Sequence, residues 1–161
     1  PRPTFKNTNR SICKSVKTKI SMEEKSIVSL DVMVHWGDMD AMRHVNNIIY
    51  LKWVESTRLL FFEKLIKGPI GEAEISPILA WSDIKYIAPV VYPDTVSIHF
   101  DLVKIDEDRL HGQAKLYSKA QQRLVAISNN TLKAYNTRLL KKAALPSQWL
   151  KILKDFYPDL I

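Results

Sequence analysis

With 161 residues, 46% of them hydrophobic, the chain has the length of one ordinary domain and enough apolar material for a core. It has no apolar run near the roughly 20 residues a membrane helix needs, and its single cysteine, Cys13, excludes an internal disulfide and fits a reducing compartment. The net charge of +7 is concentrated in residues 1–26, seven Lys/Arg against two Glu, so the nearly neutral remainder lacks the basic stripe of a nucleic-acid binder.

Residues 1–26 are rich in Lys, Ser and Thr and carry no acid before Glu23. This composition reads either as an organelle-targeting segment or as a solvated extension. A cytoplasmic location is expected in the second case, and a mitochondrial or other organelle location in the first. Cys13 lies in this tail with no base beside it in sequence, and reads as a bystander.

The folded domain is expected over 27–161. In "IVSLDVMVHW" Val28, Leu30, Val32, Val34 and Trp36 alternate with mostly polar residues, which predicts a half-buried strand ended by Gly37. The run "NNIIYLKWVESTRLLFFEKLIKG" is too long for a strand and contains no proline. It predicts a helix capped by Asn46 or Asn47, with Gly68 at the left-handed C-terminal position. Apolar residues cover most of its circumference, so burial on several sides is expected, with Trp53, Phe61 and Phe62 in the core.

Strands follow at 77–88, 94–105, 110–120 and 123–136, with a turn at 107–109. A short amphipathic helix is expected after Pro146. One long helix and about five strands make an α+β domain. The economical packing is a curved antiparallel sheet wrapped around the helix. Such a sheet has edges to pair, so a homodimer with a continuous sheet is expected, and a homotetramer is the other possibility.

The chemistry concentrates in "HWGDMDAMRHVNN", between the first strand and the helix. His35, Asp38, Asp40 and His44 lack the helical His spacings of zinc enzymes. A calcium loop from Asp38 fails, because Arg43 stands where it needs Gly and Ile49 where it needs Glu. There is no nucleophile elbow and no phosphate loop. What remains is a carboxylate, Asp40, a few residues before a helix start, where free N–H groups and a positive dipole end lie. A base beside an oxyanion site suits hydrolysis of an activated acyl group. Asp38 also reads as a turn cap, and His44 as a polar loop residue that orients the asparagines.

The stretch "VHWGDMDAMRHVNNIIYLKWVESTR" resembles the N-terminal motif of the hot-dog fold acyl-CoA thioesterases, the 4-hydroxybenzoyl-CoA thioesterase-like group. The likeness covers roughly residues 27 to 150. It implies the hot-dog fold, hydrolysis of an acyl-CoA thioester, no metal and no cofactor, and homo-oligomers with sites between subunits. The catalytic aspartate it implies is the second of the Asp-x-Asp pair, Asp40. Asp38, Arg43, His44, Asn47 and Tyr50 are the supporting or substrate-binding candidates. Ile48, Trp81 and Ile87 are candidate pocket residues, and Arg138, Lys141 and Lys142 candidate partners of CoA phosphates.

One departure stands out. The family usually carries Gly three residues after the catalytic aspartate, and this chain has Arg43. Either the backbone there needs no positive φ, or the loop is reshaped. This keeps a second function class in play, a non-catalytic acyl-CoA or acyl-carrier binding hot-dog protein. Thioester hydrolysis, and its loss in Asp40→Ala, separates the two.

Overall fold

The strands of the second half repeat the period of two that places one face of each on a core. In the computed structural model, which describes residues 26–67 and 73–161, β1 is Val28–Met33, α1 is Asn47–Ile66 and β2 is Ile75–Tyr86. β3 is Thr95–Ile105, β4 is Arg109–Ser118, β5 is Arg123–Asn136, β6 is Lys141–Lys142 and α2 is Ser147–Phe156. The sheet is antiparallel throughout, in the order β1-β3-β4-β5-β2, with the short β6 also paired to β5. Val96, Ile98, Phe100, Leu102, Leu110, Ala114 and Leu116 point to one buried face, while Ser97, His99, His111 and Gln113 alternate with them on the other side. This is the curved α+β sheet expected of the hot-dog fold.

Helix α1 buries Tyr50, Trp53, Val54, Thr57, Arg58, Phe61, Phe62 and Leu65. Their steps of three and four define one stripe along the helix, packed mainly on β1 and β3. Burial on several sides is therefore corrected. In the single chain Ile48 is 71% exposed, and Leu51, Leu59 and Leu60 are also exposed. Trp53, Phe61 and Phe62 are core, as their pattern predicts.

The boundaries carry two further corrections. β1 stops at Met33, and Trp36 begins a 3-10 turn over Trp36–Asp38 instead of ending the strand, so its side chain is 74% exposed. The turn is held by the Asp38 carboxylate, which accepts the His35 N–H at 2.8 Å. At the other end of α1 the left-handed residue is Lys67, with φ of 55°. Gly68 lies outside the described residues, as does the tail 1–25 with Cys13.

The far end of β2 is carried to the start of α1. β2 is an edge strand whose first residue, Ile75, pairs with Asn136, and whose last, Tyr86, pairs with Ala126. The segment after β2 returns across the start of α1. There Val45 N–H donates to the Val90 carbonyl at 2.9 Å, and Val90 N–H donates to the Tyr50 hydroxyl at 3.2 Å.

Candidate active site

Asp40 opens a tight reversal. Its N–H donates to the His44 carbonyl, its carbonyl accepts the Arg43 N–H, both at 2.9 Å, and Met39 pairs with Val45. The Asp40 carboxylate accepts the Met42 N–H at 2.8 Å, the side-chain-to-backbone bond that makes aspartate a turn residue. A reversal of this kind needs a left-handed residue at its end. That residue is Arg43, with φ of 61°. The reading in which the backbone needs no positive φ is therefore corrected: the loop keeps the conformation that glycine suits, and arginine adopts it.

The chain then enters α1. Asn46 N–H donates to the Asp38 carbonyl at 2.9 Å, and the Asn46 side chain accepts the Ile48 N–H at 3.0 Å. Asn46, not Asn47, is thus the cap. Asn47 occupies the first helical position, where its N–H has no acceptor among the described residues. Its carbonyl accepts the Tyr86 hydroxyl at 3.2 Å, which ties the start of α1 to the end of β2.

Asp40, His44, Asn47 and Tyr50 line one groove of about 480 Å³, with Tyr86, Ile87, Ala88 and Pro89 as its other wall. Four of the six site residues expected from sequence are thereby brought together. Asp38 is apart from the groove, in its capping role. Arg43 is exposed at the reversal and does not line it. The His44 ring bonds to neither asparagine among the described residues. Of the expected pocket residues, Ile87 lines this groove and Ile48 a neighbouring one, while Trp81 is 54% exposed on the edge strand.

Tyr86 is a residue that pattern reading passes over. It ends the strand expected over 77–88, and its only local signal is the Pro89 that follows. Its ring meets Tyr50 edge-on with centroids 5.2 Å apart. Burial raises the pKa of both phenols, so they serve as neutral donors and acceptors and not as bases.

The neighbouring groove, about 490 Å³, runs between α1 and β2. Ile48, Leu51 and Leu79 line it together with Glu55, Arg58 and Ser82. Arg58 is buried and donates to the Asn130 side-chain carbonyl at 2.8 Å. Burial lowers its pKa, and the Glu55 carboxylate partly restores it. Arg138, Lys141 and Lys142 lie at the β5–β6 turn, beside the Ile75 end of β2. Within one chain they are a whole strand length from the groove, about 35 Å at the usual rise per residue.

The family model of the thioesterase-like superfamily matches residues 34–153. No curated protein matches the chain. Among solved structures it is similar to the PA2801 protein from Pseudomonas aeruginosa, at 23% identity and a TM-score of 0.72, covering 80% of this chain and 99% of that one. A 1,4-dihydroxy-2-naphthoyl-CoA thioesterase from Synechocystis aligns at 15% identity and a TM-score of 0.69, covering 80% and 96%. A thioesterase complexed with coenzyme A and Zn from Thermus thermophilus aligns at 19% identity and a TM-score of 0.67, covering 78% and 96%.

Proposed function

The chain belongs to the thioesterase-like superfamily and is a thioester hydrolase, and we propose that it converts an acyl-CoA to the free acid and CoA with Asp40 as the reacting carboxylate. The observation that carries this is the shared groove. A carboxylate and the open N-terminal end of a 20-residue helix face one cavity. A thioester carbonyl is already electrophilic, so hydrolysis needs little more than a base and donors for the oxyanion.

As general base, Asp40 takes a proton from water as the water oxygen attacks the carbonyl carbon. The carbonyl π electrons move to oxygen. That oxyanion is stabilised by the Asn47 N–H and the positive end of α1. Collapse breaks the C–S bond, and the departing thiolate recovers the proton from Asp40. As nucleophile, the carboxylate instead expels the thiolate to form a mixed anhydride, which water then opens. Both routes need Asp40 ionised.

The working unit in this reading is an oligomer. Among the described residues β2 is an open edge of twelve residues that exposes Ile78, Leu79 and Trp81, and the neighbouring flank of α1 exposes Ile48 and Leu51. A second copy paired along β2 satisfies the edge and covers these side chains. The acyl groove then lies beside the subunit boundary.

The test is turnover by the purified full chain on a panel of acyl-CoA esters, followed by the release of free thiol. Hydrolysis of at least one chain length at enzymatic rates is expected. Tight binding of acyl-CoA with no thiol release from any member would favour the binding-protein class instead.

A further inference from the structure

The β5–β6 turn holds large apolar side chains in water. Leu139 is 60% exposed and Leu140 73%. Arg138, Lys141 and Lys142 surround them, all exposed, and among the described residues none of the three pairs with a carboxylate. The turn is held in shape from below. The Asn136 side-chain carbonyl accepts the N–H groups of Arg138 at 3.0 Å and Leu139 at 2.7 Å. The Asn136 amide donates to Glu74 at 2.9 Å. Leu140 adopts φ of 50°, where glycine or asparagine is the usual occupant. The backbone is thus strained at the residue that projects the most exposed leucine of the turn.

We propose that this turn docks the protein on an anionic lipid surface, with Leu139 and Leu140 entering the headgroup–acyl boundary and the three cations meeting lipid phosphates. Two side-chain classes require two properties of the occupant. The leucines need an apolar phase, and the cations need negative charge at its rim. A nucleotide phosphate satisfies the cations alone. A second copy of the turn brings like charges together. The segment 1–26, with seven Lys/Arg and two Glu, has the same sign of charge as the turn, so charge gives it no attraction to the turn. The turn lies at the Ile75 end of β2 and the Asp40 groove at the Tyr86 end, so docking leaves the groove of the same chain open.

The experiment is co-sedimentation of the full chain with vesicles of phosphatidylcholine alone and of phosphatidylcholine mixed with phosphatidylserine. Binding is expected only to the mixed vesicles. Leu139→Ser/Leu140→Ser should weaken that binding about tenfold or more, as should Arg138→Gln/Lys141→Gln/Lys142→Gln. Leu139→Ala/Leu140→Gly, which also relieves the strained position, should weaken it as well. Turnover on a water-soluble thioester should stay unchanged in the two leucine variants. Absent vesicle binding, or binding undiminished in both leucine variants, overturns the proposal. A raised KM for acyl-CoA in the charge variant with unaltered vesicle binding overturns it too, and assigns the cations to CoA phosphates.

Discussion

Arg43→Gly is expected to stabilise the protein without impairing catalysis. Arg43 sits at φ of 61°, where a side chain brings Cβ too near the following carbonyl, at a cost of about 1–2 kcal/mol. Glycine removes that cost but adds freedom to the unfolded chain, about 0.5–1 kcal/mol against the native state. The difference leaves a net gain of roughly 0.5–1 kcal/mol. For a chain of this size that raises Tm by about 1–4 °C. The side chain is exposed and does not line the groove of Asp40, His44 and Tyr50, so KM and kcat should change by less than about threefold. Arg43→Val is the opposing control, because a β-branched side chain tolerates this conformation worst. Thermal and urea unfolding of the three proteins decides the matter. A glycine variant less stable than the parent would refute the strain argument. A large rise in KM would show that Arg43 meets the substrate.

Single contacts carry the other predictions. Tyr50→Phe leaves the buried Val90 N–H without its acceptor, so urea unfolding should show a loss of about 1–3 kcal/mol; an unchanged midpoint would mean that this N–H finds another partner. Asp31 accepts hydrogen bonds from Lys119 and Ser97, which lower its pKa below the ordinary 3.8. The folded value lies under the unfolded one, so the stabilisation is complete above pH 3.8 and is lost as pH falls through the folded value. Asp31→Asn should therefore flatten the acid limb of the unfolding midpoint below that pH, and an unaltered limb would count against it. Sedimentation at micromolar concentration should show at least a dimer, and a fully active monomer would refute the shared β2 edge.

The period-of-two strands β3, β4 and β5 were legible in sequence because each carries one apolar face, and their bounds shift by at most two residues. The long helix was legible because its apolar run is too long for a strand and contains no proline, yet its single buried stripe was not. Ile48, Leu51 and Leu59 are as apolar as the core residues, and only the packing shows which flank the single chain leaves open. Trp36 was misplaced because alternation continues past Met33, while the Asp38 cap had already turned the chain. In the site, Asp40, His44, Asn47 and Tyr50 lie within eleven residues and come together through one reversal and one helical turn, a local geometry that spacing reports. Tyr86 reaches the groove through a strand end far along the chain. Nothing near it in sequence records that contact. The conformation of Arg43 was hidden for a simpler reason. The residue type argues against a positive φ, and the hydrogen bonds of the Asp40–His44 reversal outweigh it.

The central claim is that Asp40 performs the chemistry, and Asp40→Asn tests it most directly. Asparagine keeps an acceptor for the Met42 N–H that the carboxylate now binds, so the reversal and the start of α1 should persist. What it removes is the charge and the ability to take or share a proton. Thiol release from the preferred acyl-CoA should fall at least ~100-fold, the scale of a lost general base, with an unchanged unfolding midpoint and unchanged acyl-CoA binding. Near-normal turnover in that variant would contradict the mechanism.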